Sequence, residues 1–295
     1  MRLTRIALAA TVPLALALTA CAPTEDPAST AKDTTTTADA AAGDDAATCA
    51  VDKVKTEGTL TVGTDSPAYD PWFSDDDPSN GKGFESAVAY AVAQQMGYEA
   101  DAVKWIKVPF NNSYAPGKKD FDFDINQISV TPERAKVVDF SDGYYSAAQA
   151  IITLKKSPAA KVASLSELAD LKLGAQTGTT SLTAIRDVIK PSAQPMVFND
   201  TNAAKQALNN GQLDAIVADL PTAFYITAVE IPKGKIIGQF QPETGQQEEF
   251  GLLFEKGNPL VECVNTALAT LKEDGTLESI EQEWLSDTVG VPVIE

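Results

Sequence analysis

GTLTVGTD, residues 58–65, is a short β-rich run that ends in a Gly/Thr turn, and the same design returns at residues 171–180 as LKLGAQTGTT. A helical pattern follows each turn. Glu85–Met96 carries Val88, Ala91 and Val92 on one face with Gly97 as its stop, and Ser181–Lys190 follows the second turn. Further strands are expected at Lys104–Val108, Phe121–Ile125, Gln149–Leu154, Asp214–Ala218 and Phe250–Phe254. Helices are expected at Thr201–Asn210, Thr222–Glu230, from Leu260 to Leu271 behind an Asn258-Pro259 start, and at Thr276–Leu285. Ser164 and Glu167 read as a capping box opening a short helix. Alternating strands and helices imply parallel sheets covered by helices. The doubled pattern implies two α/β units, with a cleft at the carboxyl ends of their strands, where open α/β sheets bind ligands.

Composition narrows what the cleft can do. The chain has 295 residues, 44% hydrophobic and 22% charged, near globular averages and enough for one to three domains. A net charge of -18 repels phosphates and argues against a nucleic-acid partner. With no histidine there is no Ser-His-Asp triad, Cys-His pair or His-ligated metal, and three cysteines fall short of a four-cysteine zinc or iron–sulfur site. Asp75-Asp76-Asp77 lacks the spacing of a calcium loop and reads as a solvated loop, so neither metal nor cofactor is expected.

Arg2 and Arg5 precede an apolar run from Ile6 to Ala20, the layout of a secretory signal over residues 1–20. The run is short for a membrane span, which needs ~20 apolar residues. It ends Leu18-Thr19-Ala20-Cys21, which resembles the bacterial lipobox; the resemblance implies a lipidated Cys21 at the outer face of the cell membrane. Residues 21–48 have no aromatic residue and no apolar period, and read as a disordered tether. Export permits a disulfide between Cys49 and Cys263. That bridge is the expectation, and two reduced thiols are the alternative.

Four segments, taken in order, resemble the extracellular solute-binding proteins of amino-acid ABC importers. They are residues 58–65 with Tyr69, Pro71 and Trp72 after them; Gly83-Phe84-Glu85; the run FDINQISVTPER at 123–134 continuing to Tyr145; and residues 174–181 paired with LDAIVADLP at 213–221. The resemblance covers about residues 57–288. It implies an α/β, two-lobed type II periplasmic-binding-protein fold whose lobes are joined by two crossing strands. Lobe 1 is expected to take residues 49–148 and 247–295, and lobe 2 residues 149–246, with crossings near Tyr145–Gln149 and Gln246–Phe250.

The resemblance also implies roles that suit a zwitterion. Arg134 clamps the carboxylate, which wants a bidentate guanidinium. Thr180 and Ser181 open a helix whose N-terminus donates to the same group, alongside N-capping by Ser181. Asp219 takes the ammonium or, alternatively, caps Thr222–Glu230; Ser129 and the Gln127 carbonyl add acceptors. Tyr69, Trp72 and Phe110 wall the carbon skeleton or pack in the core, and Asp65 selects a cationic side chain or binds its own turn. Gln127, Gln176 and Ala87 depart from the family pattern, and the two glutamines leave the ligand side chain open. The implied protein is a monomeric binding protein, not an enzyme, that serves an ABC permease with a separate ATPase. The alternatives are a cyclohexadienyl-type dehydratase using Asp65 or Glu85, and a sensing module for a membrane receptor.

Overall fold

The doubled strand–turn–helix pattern organises a computed structural model that describes residues 46–241, 248–285 and 290–294. The expected signal at 1–20, most of the tether and the lipidation at Cys21 lie outside these residues. The strands are β1 (Leu60–Thr64), β2 (Val103–Lys107), β3 (Phe123–Asp124), β4 (Val138–Ala147), β5 (Gln149–Leu154), β6 (Leu173–Gln176), β7 (Met196–Phe198), β8 (Ala215–Asp219), β9 (Gly234–Phe240) and β10 (Glu248–Glu255). The helices are α1 (Ala46–Ala50), α2 (Phe84–Gln95), α3 (Phe110–Ser113), α4 (Pro132–Ala135), α5 (Thr180–Ala184), α6 (Thr201–Asn209), α7 (Leu220–Tyr225), α8 (Leu260–Glu273) and α9 (Thr276–Leu285). Both α5 and α7 run on into a π-helical turn, Ile185–Ile189 and Ile226–Glu230.

The strands form two five-stranded sheets, ordered β2-β1-β3-β10-β4 and β7-β6-β8-β5-β9. Within them β1 runs parallel to β2 and β3, and β6 parallel to β7 and β8. The expected all-parallel sheets are corrected to mixed ones, because β10 runs antiparallel to β3 and β4, and β5 antiparallel to β8 and β9. The chain leaves the first sheet by β4 and the second by β9, and the strand by which it enters, β5 or β10, runs against its neighbours. The first crossing is the turn between Ala147 and Gln149, and most of the second falls in residues 242–247, outside the described set.

One face of the first sheet, with Leu60, Val62, Phe123, Leu252 and Phe254, packs on α2, α8 and α9. The α8 stripe of Leu260, Val264, Leu268 and Leu271 is fully buried there, at roughly 1.5–3 kcal/mol per large side chain. The second sheet is covered on both faces, Ile151, Leu173 and Val217 on one and Ala150, Ile152 and Ile216 on the other. Gly83 has φ +94°, and a Cβ there would sit 2.5 Å from the Trp72 carbonyl oxygen, so only glycine lets α2 begin this close to the 71–73 turn.

Two expected boundaries change. The tether was expected to reach residue 48, yet Ala46–Ala50 is helical, with Ala46 and Ala50 buried in the first core. Its alanines are small enough to lie on α8, and the Cys49–Cys263 disulfide fixes them there. The chain end was expected in lobe 1. Instead Val293 bridges to Gln239 of β9, and Ile294 packs in the core of the second sheet, over Gly238, where a side chain would collide with it. No helix among the described residues is long and apolar enough to cross a membrane.

The disulfide closes a loop of 214 residues and is the covalent tie that holds α1. Reducing it, or replacing both cysteines by alanine, is expected to cost about 2–4 kcal/mol, because the cross-link constrains the unfolded chain. Differential scanning calorimetry with and without reductant reads this as a drop in Tm of several degrees.

Candidate functional site

The cleft lies where β1, β3, β6 and β8 end. It encloses about 650 Å³ of space, its solvent-filled mouth included. Residues 65, 69, 110, 126, 127 and 129 line the first-sheet side, and 176, 179–181, 201, 217–219 and 222 the second-sheet side. Of the candidate residues, Asp65, Tyr69, Phe110, Gln127, Ser129, Gln176, Thr180, Ser181 and Asp219 therefore share one cleft.

Arg134 and Trp72 do not line it. The Arg134 guanidinium is buried behind Ser129, where Nη1 donates to the Ser129 carbonyl (2.7 Å) and Nη2 crosses to the Gly178 carbonyl (2.9 Å). Tyr114, just after the small helix α3, lies over it at 4.6 Å, and Phe110, at the start of α3, at 5.6 Å. Thr131 caps α4 by accepting from Arg134 N, which holds the start of this side chain. Of the two alternatives open for Trp72, cleft wall or core, the structure places it in the core. It is fully buried, and it packs edge-on against Phe84, Tyr145 and Phe250. Its Nε1–H donates to Thr222 Oγ1 of the other lobe (2.8 Å), because an indole needs a partner for its one donor.

Gln149, at the first crossing, is the hub that sequence reading missed. Its Nε2 donates to Asp219 Oδ1 (2.7 Å) and Glu248 Oε2 (2.8 Å), and its Oε1 accepts from Ser181 Oγ (2.5 Å). Glu248, also missed, accepts from the Ser129 hydroxyl, which lies 3.2 Å from Thr180 Oγ1. Both residues sit on strands that change lobes, Gln149 at the start of an apolar run and Glu248 in a polar one, and neither position carries a motif that marks its role.

The helix starts are filled in a particular way. Thr179, not Ser181, caps α5 by accepting from Leu182 N. Asp219 stands at the N-cap position of α7 without making the cap bond, so its carboxylate stays with Gln149 and the cleft. Burial pushes the Asp219 carboxyl well above the usual range, with the Glu248 carboxylate adding to it and Gln149 and Arg134 opposing.

Other candidates are committed to backbone. Asp65 accepts from Ser66 N (2.7 Å) and Phe110 N (3.1 Å), which pins α3 to the end of β1. Gln127 has φ +47°, and both its backbone N and its side-chain amide donate to Glu85, which also accepts from Tyr144 Oη. The Gln127 side chain thus turns away from the cleft. Burial raises Glu85 to about 7 against those three donors. Asp76 and Asp77 accept from Ala68 N and Ser79 N, and among the described residues no three acidic or cysteine side chains could hold a metal.

Residues 60–287 match the family model for bacterial extracellular solute-binding proteins, family 3. The chain belongs to that family. Among its relatives, the L-cystine-binding protein TcyA of Bacillus subtilis is 30% identical, over 80% of this chain and 84% of its own. The L-cystine-binding protein TcyJ of Escherichia coli is 29% identical, over 81% and 87%. In three dimensions an ancestral arginine-binding protein bound to glutamine superposes with a TM-score of 0.66 at 32% identity, covering 79% of this chain and all of that one. The arginine-, lysine-, histidine-binding protein ArtJ of Geobacillus stearothermophilus does so at 0.66 and 26%, covering 78% and 96%. Membership accounts for the two-lobed type II fold.

Across the cleft the lobes touch at Gly178. It has φ +74°, and a Cβ there would overlap Asn111 Oδ1 and Tyr114 Oη. Both atoms are ends of side chains that can turn aside, so Gly178→Ala is expected to cost about 1–2 kcal/mol through its left-handed backbone, read as a drop of a few degrees in Tm by thermal unfolding.

Proposed function

We propose that this chain captures a free amino acid between its lobes and delivers it to a membrane permease driven by a separate ATPase, as a monomer held at the outer face of the membrane by lipidated Cys21. The observation that carries this reading is a cation and a carboxylate from different lobes within each other's field at one cleft: Arg134 behind one wall and Asp219 in the other. A free amino acid carries the complementary pair.

In this reading the ligand carboxylate takes the guanidinium that now faces the Ser129 and Gly178 carbonyls, with the amide groups that open α5 as further donors. The ammonium goes to Asp219, with Glu248 and the Gln127 carbonyl nearby. Phe110 and Tyr69 wall the aliphatic part. Contacts made by one ligand to both lobes exist only when the lobes meet, and that difference favours the closed form. Relatives named as binding proteins support binding without turnover. The acids nominated for a dehydratase give that rival no support: Asp65 holds the α3 backbone, and Glu85 is fully buried among Tyr144 and Gln127.

Isothermal titration with the common L-amino acids and L-cystine tests this directly. Arg134→Ala is expected to weaken binding of any ligand found by about 2–5 kcal/mol, through an unpaired buried carboxylate. A native protein that takes up none of them, or a variant with unchanged affinity, counts against the reading.

Asp219 gives a second readout. Its raised pKa means that the empty cleft holds a proton there to higher pH than a free carboxyl does. An ammonium beside it favours the carboxylate. Binding at neutral pH is therefore expected to release protons, seen as a binding enthalpy that varies with the ionisation enthalpy of the buffer, and Asp219→Asn should lose most of that dependence.

A further inference from the structure

The disulfide that holds α1 has a cation laid across it. Lys53, four residues after Cys49, places Nζ 3.3 Å from both Cys49 Sγ and Cys263 Sγ. Among the described residues no carboxylate lies within ion-pair distance of that ammonium. A closed bridge has little use for it, because disulfide sulfurs are neutral and accept hydrogen bonds weakly. A thiolate is stabilised by a neighbouring lysine, and a thiolate exists here only once the bridge opens. The ammonium thus suits the reduced pair better than the oxidised one.

The two sulfurs are not equally open. Cys263 is fully buried on α8, whereas Cys49 is half-buried. Attack from outside reaches Cys49, and Cys263 is the sulfur that leaves. A sulfur whose thiolate is stabilised leaves faster. Beside the bridge a hollow of about 490 Å³, its mouth included, is lined by Lys53, Lys55 and Lys256, with Glu255 as its one acid. In a chain of net charge -18, this local excess of cations attracts an anionic thiolate. Once the bridge is open, the hold of α8 on α1 is slight. The buried side chains of α1 are Ala46 and Ala50, which offer one methyl group each.

We propose that the Cys49–Cys263 bridge is a thiol–disulfide exchange site, with Lys53 as its activating residue, which an external dithiol opens to unfasten α1 from the first lobe. One thiolate of the dithiol attacks Cys49 Sγ. The Cys49–Cys263 bond breaks, and its electron pair leaves on Cys263 as a thiolate beside Lys53. The second thiol of the reagent gives up its proton and attacks the reagent sulfur of the mixed disulfide, which sends the second electron pair to Cys49. The dithiol ends as a disulfide, oxidised by two electrons. Its two protons pass to the cysteine sulfurs or to solvent, and Lys53 keeps its charge throughout.

The test is reduction of the oxidised full chain by dithiothreitol at neutral pH, after any free thiol has been blocked, with the opened cysteines counted by alkylation and mass spectrometry. Lys53→Met keeps the length of the side chain without its charge, and Lys53→Arg keeps the charge. Lys53→Met should be reduced at least about fivefold more slowly than the native chain, with its equilibrium against the dithiothreitol couple moved toward the closed bridge, while Lys53→Arg stays near native. Calorimetry of the oxidised variants checks that they fold. Amide hydrogen exchange in Ala46–Ala50 should quicken on reduction while α8 stays protected. A Lys53→Met chain that matches the native one in rate and equilibrium overturns the proposal. So does a native bridge that opens only as fast as the whole protein unfolds, or an α1 whose exchange reduction leaves unchanged.

Discussion

One neutral amide holds two acids in place. Gln149 is wholly buried at the turn where the chain leaves the first sheet, and its NH2 reaches Asp219 of the second sheet and Glu248 of the first. Carboxylates this close repel, and an amide between them offers each one a proton without adding charge. Its oxygen is used as well, by Ser181 at the start of α5. Through Glu248 the network extends to Ser129, and from there across the cleft to Thr180. Every group on this path is a candidate ligand contact or the neighbour of one. The position of the recognition groups is thus set by the same side chain that marks where the lobes join.

Beneath that network lies a stiff apolar base. Trp72, Phe84, Tyr145 and Phe250 pack with ring centroids 5.2–5.9 Å apart, edge to face except for the tilted Tyr145–Phe250 pair. Tyr145 and Phe250 belong to β4 and β10, adjacent strands near the two crossings. Rigid rings on both strands confine bending to the few residues beyond them. Trp72 then reaches out of this cluster to Thr222, and Lys205 of the second lobe lies over the Tyr69 ring. Trp72–Thr222, Ser129–Thr180, Arg134–Gly178 and Lys205–Tyr69 are contacts between the lobes among the described residues, each through a polar or cationic group.

Much of this was legible in the residues. The two strand–Gly/Thr turn–helix units became β1 with α2 and β6 with α5, and the α8 stripe was readable as period 3.6. Strand direction was not legible, because alternation of strands and helices does not show that β5 and β10 run against their neighbours. The short pieces α3 and β7 lack a periodic pattern long enough to read. At the site, the motif brought nine candidates into one cleft, since turn residues at strand ends share a direction. Trp72 stayed open between wall and core until its distant aromatic partners placed it in the core. Gln149, at the start of an apolar strand, and Glu248, in the polar run at residues 246–249, carry no motif of their own, and only their three-dimensional neighbours reveal what they serve.

The α1 staple also settles how a load would travel. A pull on the chain from any point before Ala46 arrives at Cys49, passes through the disulfide into α8, and is delivered to the sheet of β1 and β10. Were the chain held from there as proposed, the first lobe would be the fixed half and the second lobe the one free to swing, with Ile294 moving along with it. A partner that reads opening and closing would find its moving signal on the side farther from the leash.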